Sequence, residues 1–175
     1  MKEFDINDLK IQPFKLWDSD WLLLSCGDFE SGEFNSMTVA WGSIGNMWNI
    51  PIAMIVVRPT RFTYEFVERF DNFTLCGFDE SYRKALNLLG TKSGREGDKI
   101  KESGISPASA ELVSSPIYKE ANLVLECKKL YWHDLNPAHF LDVRIANSYP
   151  KENYHRMYFG EIVRAAGDEK FNKVE

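Results

Sequence analysis

The run IAMIVV, Ile52 to Val57, breaks off at Arg58-Pro59, and this boundary constrains the fold more than any other stretch of the chain. A short unbroken apolar run reads as a strand buried on both faces. Pro59 fixes the turn that ends it. Beyond the turn, Thr60 to Phe70 sets Phe62, Phe66, Val67 and Phe70 at helical spacing. The chain must therefore accommodate a buried strand, a sharp turn and a helix laid back over the core.

Five further segments rich in β-branched and aromatic residues read as strands: Trp21 to Cys26, Asn35 to Trp41, Asn72 to Phe78, Asn122 to Leu130 and Tyr158 to Arg164. In Asn35 to Trp41, Met37, Val39 and Trp41 alternate with Ser36, Thr38 and Ala40. Helical patterns are fewer. Ser81 to Leu89 follows a possible cap at Ser81 and precedes Gly90 as a stop, and Asp98 to Ser103 lies between a capping Asp98 and Gly104. Many strands with short helices between them predict a mostly β fold, an α+β arrangement in which helices cover the ends of a small β-barrel. The 175 residues suit one domain, 1–175, with a polar, flexible tail from about 168.

The 26 acids against 21 bases leave a formal charge of −5, which argues against a nucleic-acid partner. No stretch is apolar enough to span a membrane, and MKEFDINDLK has no signal-peptide core, so no membrane partner is expected and the cytoplasm is the default location. Cys26, Cys76 and Cys127 are widely spaced and sit in apolar runs, as buried free thiols do.

The helix start at VRPTRFTYEF poses the functional question. Acids are favoured in the first turn of a helix, yet Arg58 and Arg61 flank this one. Together with Thr60 as a cap and Thr63, they make a ready anion site of backbone donors, hydroxyls and fixed charge. The alternative is an i,i+4 pair between Arg61 and Glu65. A second basic turn, GTKSGREGDK, holds Lys92, Ser93 and Gly94. It is neither a Walker A loop nor a dinucleotide fingerprint, and it reads either as a solvated connector or as a second phosphate contact. Trp41 and Trp48, across the turn GSIGN, either flank a flat ligand or pack in the core. His133, His139 and His155 lack the spacing of a metal site, so no metal is expected.

The order FNSMTVAWG, VRPTRFTYEF, FTLCGF, the K-S-G-R turn ending in DK, LVLECKKLY and YHRMYFGEI resembles the flavin reductase-like family, and its flavoredoxin-like members most. The resemblance runs from about Trp21 to Ile162. It implies an FMN-binding split barrel. It implies that Asn35, Met37, Thr38, Val39, Ala40 and Trp41 line the ring and ribityl chain, and that Arg58, Thr60 and Thr63 serve the ribityl and phosphate end. Lys92, Ser93 and Gly94 would close over the flavin. His155, the one catalytic candidate, would lie near the ring, from its own chain or from a partner subunit. The resemblance further implies a homodimer and an oxidoreductase that passes electrons from NADH or NADPH through FMN to a second, unknown acceptor. The alternative within the family is an electron-transfer protein with no direct NAD(P)H reactivity. With no adenine-binding region in the sequence, FMN is expected in preference to FAD.

Overall fold

The computed structural model describes residues 1–172. One antiparallel sheet organises the chain. Its strands are β1 (Lys2–Phe4), β2 (Leu22–Asp28), β3 (Glu33–Val39), β4 (Gly42–Met47), β5 (Ile50–Val57), β6 (Asn72–Gly77), β9 (Leu123–Asp134) and β10 (Arg156–Gly167). The short strands β7 (Pro107–Ala108) and β8 (Ile117–Tyr118) form a separate pair. The spatial order is β3-β2-β6-β9-β10-β5-β4, with β1 also paired to β10. One edge of the long β10 is shared: Arg156 to Glu161 pair with β5, and Ala165 to Gly167 pair with β1. Register shifts after Phe159 and Ile162 mark bulges against β9, which bend a strand of this length.

The period of two explains why the central strands are apolar throughout. Leu22, Leu24, Leu75, Leu123 and Leu125 enter one buried cluster with Phe73, Tyr158 and Val67. Their neighbours Leu23, Cys76 and Val124 point the other way, into a second cluster with Leu86, Leu89, Ile105 and Tyr118. Each fully buried leucine contributes about 1.5–3 kcal/mol relative to exposure. The two faces are thus independently anchored. The expectation that Ile52 to Val57 is buried on both faces fails, because Met54 and Val56 of β5 are half-buried; the strand buried on both faces is β2, from Leu22 to Gly27. All three cysteines are buried free thiols.

Four helices decorate the sheet: α1 (Pro13–Lys15), α2 (Phe62–Arg69), α3 (Arg83–Thr91) and α4 (Lys99–Ser103). The last begins as the sequence predicts, with the Asp98 carboxylate accepting from the Lys101 N–H and Gly104 left-handed at φ 77. The other boundaries differ. At α2 the N-cap position belongs to Arg61, whose side chain makes no cap bond, and not to Thr60. Helix α3 starts after Tyr82 and runs through Gly90 to Thr91, so Ser81 is no cap and Gly90 no stop. Gly90 serves a different end, because a Cβ there would come within 3.1 Å of Thr38 Cβ and push the helix off β3.

The sequence reading treats GSIGN as a turn, but Gly42–Met47 is an edge strand, exposed along most of its length and therefore without an apolar alternation to betray it. The turn lies at Trp48-Asn49, whose φ values of 56 and 59 are those a two-residue hairpin loop of type I′ demands. The tail expected to be flexible from 168 is packed as far as Asn172. Lys10 donates its N–H to the Phe171 carbonyl, Lys170 pairs with Asp79, and Asn172 bridges Leu9. Residues 173–175 lie outside the described residues. Among the described residues, no helix is long and apolar enough to cross a membrane.

Candidate functional site

Two adjoining cavities open where β3, the end of β5, the start of α2 and the end of α3 converge. The first, of about 260 Å3, is lined by Met37, Thr38, Val39, Ala40, Trp41, Val56, Arg58, Arg61 and His155. The second, of about 100 Å3, is lined by Asn35, Thr60, Arg61, Phe62, Thr63, Thr91, Lys92, Ser93, Gly94 and Lys99. Arg61 borders both. Every site residue implied by the family resemblance faces one of these two spaces, although the residues come from four separate parts of the chain, 35–41, 58–63, 92–94 and 155.

The smaller cavity is built tightly. Asn35 Nδ2 donates to Thr63 Oγ1 at 2.7 Å, tying β3 to the first turn of α2. Gly94 closes the opposite wall, where a Cβ would sit 2.5 Å from Asn35 Oδ1 and 2.7 Å from the Phe62 ring; only glycine allows the loop so near. Ser93 Oγ accepts from the Arg95 N–H and holds that turn in shape. On the strand beyond, Thr38 Oγ1 donates to the Leu86 carbonyl of α3 at 2.5 Å.

The charges are distributed differently from the sequence expectation. Lys92 lines the cavity, but its ammonium is paired with Glu102 at 2.6 Å. Lys99, a residue that sequence reasoning missed, has no carboxylate partner among the described residues. It is only 3% exposed, and its Nζ donates to the carbonyls of Leu89 at 2.9 Å and Lys92 at 3.1 Å. Arg61 likewise donates to the Gly90 carbonyl. Both cations thus converge on the carboxyl end of α3, where orphan carbonyls and the helix dipole favour positive charge. Dipoles answer them only in part. Burial first, and Arg61 second, pushes Lys99 down to about 8. Burial and Arg58 likewise lower Arg61. The alternative partner for Arg61 is not used, because Glu65 pairs with Arg95. The signal that could have found Lys99 is slight: it follows Asp98 at a helix start, but Ile100 beside it competes for the buried face.

In the larger cavity Arg58 is a tether. Its guanidinium donates to Asn153 Oδ1 at 3.0 Å and to the Ser148 carbonyl at 2.8 Å, and lies 5.2 Å from the Tyr149 ring centre. It fastens the segment before β10 to the end of β5. Arg58 Nε–H also points at His155 Nε2, at 3.4 Å. An arginine can only donate, so Nε2 accepts, and the imidazole proton lies on Nδ1, which donates to Tyr149 Oη at 2.8 Å. Burial, then Arg58, pushes His155 down to about 4, so it stands neutral at pH 7. Trp41, 48% exposed, lies 5.1 Å from this ring. Trp48 packs elsewhere, against Tyr131 and Phe159, so the two tryptophans do not flank one ligand.

The model of the flavin reductase like domain matches residues 21–173. The chain belongs to the flavin reductase-like family. No curated protein matches it. Among solved structures, a flavoredoxin from Methanosarcina acetivorans is 22% identical over 99% of this chain and 82% of its own, with a TM-score of 0.66. An FMN-binding domain of a flavin reductase-like enzyme from Shewanella baltica is 15% identical over 98% of this chain and 84% of its own, with a TM-score of 0.67. An NADH:FAD oxidoreductase from Streptomyces globisporus is 14% identical over 85% of this chain and 75% of its own, with a TM-score of 0.65. At these identities the likeness concerns the fold: a mostly antiparallel split barrel with short helices.

Proposed function

We propose that this flavin reductase-like chain binds FMN across the two cavities and acts as an NAD(P)H-dependent oxidoreductase. The observation that carries the proposal is the pair Arg61 and Lys99, two cations beside one small cavity that no described carboxylate neutralises. A flavin phosphate, with roughly two negative charges near neutral pH, supplies what they lack. Arg61, Lys99, Thr60, Thr63, Ser93 and Gly94 would hold it, with Asn35 and Lys92 beside them. Met37, Thr38, Val39, Ala40, Trp41, Arg58 and His155 would face the ring.

FMN held there would supply the redox chemistry, two-electron exchange between a nicotinamide nucleotide and a second acceptor. The chain's own part is placement. Gly94 and the Asn35–Thr63 bond fix the shape of the phosphate end. The apolar side chains of Met37 and Val39, both buried, keep water from the cavity floor. His155 offers a neutral imidazole, held in one tautomer by Arg58 and Tyr149. It can accept or donate a hydrogen bond at the cavity but brings no charge. We place the working unit as a homodimer, because Trp48, in the turn between β4 and β5, and Leu130, Tyr131 and Trp132, on β9, are large apolar side chains left exposed. Light scattering on the purified protein checks this, and a monomer at micromolar concentration removes it.

The deciding experiment is an anaerobic visible spectrum of the FMN-loaded protein before and after one equivalent of NADH, then of NADPH. Bleaching is the expected result. Flavin that binds but stays oxidised would leave a flavin-binding electron carrier fed by a protein partner, and protein that takes up no FMN would end both readings.

A further inference from the structure

The proposed flavin site leaves a cavity of about 630 Å3 unexplained, on the far side of α3. Helix α3 separates the two: Leu86 lines the far cavity, while its carbonyl accepts the bond from Thr38 on the flavin side. The size falls within the roughly 300–1,000 Å3 usual for small-molecule sites. Trp21, Phe78 and Phe171 give it aromatic walls.

Three features of its lining are not accounted for by folding. The first is charge. Lys15 and Lys170 are answered by Asp20 and Asp79. Arg83 has only the Ser19 carbonyl, and among the described residues neither it nor Lys10 has a carboxylate within 4 Å. Glu80 is the one acid of the lining without an ion pair among the described residues, so the unpaired balance favours an anion. The second is a buried acceptor. Asn122 is 5% exposed and gives its Nδ2 to Asp79, but its Oδ1 has no partner. Buried polar atoms are rarely left so. The third is backbone strain. Trp21 sits at φ 65, ψ 157, a region that is essentially glycine's alone, with its Nε1 tied to the Asp18 carbonyl and the Arg83 guanidinium 4.2 Å from its ring centre. Strain of this kind holds an indole where an unstrained chain would not place it.

We propose that this cavity is a second ligand site, for a small planar aromatic carboxylate that also carries an N–H or O–H donor. Its ring would lie among Trp21, Phe78 and Phe171, its carboxylate would meet Arg83 and Lys10, and its donor would satisfy Asn122 Oδ1, which is closed off from water in the ligand-free fold and turns towards the cavity on binding. No electron transfer is involved; the site binds.

The probe is indole-3-carboxylate, which combines the three features, titrated into 15N-labelled, FMN-loaded protein and followed by amide shifts. Saturable shifts at Trp21, Gly77, Arg83 and Asn122, with the visible flavin spectrum unchanged, are expected. Indole without the carboxylate should bind at least about tenfold more weakly, as should the probe to Arg83→Gln or Lys10→Gln, in keeping with the loss of one charge-assisted hydrogen bond. Equal binding of indole and its carboxylate would overturn the anion assignment. Shifts confined to Trp41 and His155, or no saturation, would overturn the site, whether or not FMN binding itself holds.

Discussion

Two groups of cations in this barrel differ in what answers them. On β10, Arg156 is gripped by Asp134 at 2.7 and 2.8 Å and by Glu68 at 2.9 Å, and Arg164 by Glu3 and Glu126, each at 2.8 Å. At the candidate site, Arg58, Arg61 and Lys99 meet carbonyls, an amide and an imidazole, but no described carboxylate. A buried charge is tolerated when it is paired and hydrogen-bonded, and its partner then fixes structure. The first group is complete within the chain. The second is hydrogen-bonded but electrically unfinished, which is what a site awaiting an anion requires.

The contrast breaks most readily at Glu126. Its side chain is fully buried, binds Arg164, and accepts the N–H groups of Glu111 and Leu112. Glu126→Gln keeps the shape and removes the buried charge, leaving Arg164 only the exposed Glu3 as a carboxylate partner. Breaking a buried pair costs about 3–5 kcal/mol, so urea unfolding should shift by most of that amount while FMN affinity of the folded variant stays within about threefold. A variant as stable as the parent would show that the β10 pairs are no more structural than the site cations.

This distinction was only half legible in the sequence. The strands and the two basic turns could be read, because period-two apolarity and arginines at a helix start are local signals. Which charges are neutralised was not. The resemblance puts Lys92 over the flavin and Arg58 at its ribityl and phosphate end; in this fold Glu102 meets the first, and Ser148 and Asn153 meet the second. Nothing in DKIKES singles out Lys99, yet it is buried. Each of these depends on partners in separate segments. The edge strand Gly42–Met47 was missed for the opposite reason, since it carries no buried face to leave a pattern.

His155 sharpens the comparison through pH. Its pKa in the folded chain is lowered from 6.5 to about 4, chiefly by burial and then by Arg58. As pH falls below 6.5, the unfolded chain takes up the proton first, so stability is lost across the window from 6.5 towards 4. The loss reaches at most about 3 kcal/mol from this residue. His155→Gln should flatten that part of the pH–stability curve, read by thermal unfolding. An equal slope in the variant would mean that the imidazole is not held neutral and that Arg58 does not face it as described.

Lys99→Met tests the unfinished charge itself. Methionine keeps the length and apolar stem and removes one charge-assisted contact, so FMN should bind about 10–100-fold more weakly. Parent affinity should also decline as pH rises past about 8, where free Lys99 loses its proton, and the variant should lack that step. Lys99 also ties the carboxyl end of α3, and this gives the opposite outcome a meaning. A lower unfolding midpoint with FMN affinity intact would make it a helix cap and nothing more.

The smallest expected effect asks how far the site extends along β3. Thr63 is 1% exposed and accepts from Asn35, itself 4% exposed. Thr63→Val preserves the branched shape and deletes the acceptor, leaving a buried Asn35 donor unpaired at a cost of about 1 kcal/mol. If the pair only joins β3 to α2, that loss appears in urea unfolding and FMN affinity is unchanged. If the bond also aims Asn35 into the cavity, where its Oδ1 faces Gly94, FMN affinity should fall by about threefold to tenfold as well. Adding Asn35→Leu to Thr63→Val separates the two further: donor and acceptor are then both gone, so stability should partly recover relative to Thr63→Val alone, whereas flavin affinity should not. Recovery of both would confine the site to the cations and the Ser93-Gly94 turn, with β3 as its scaffold.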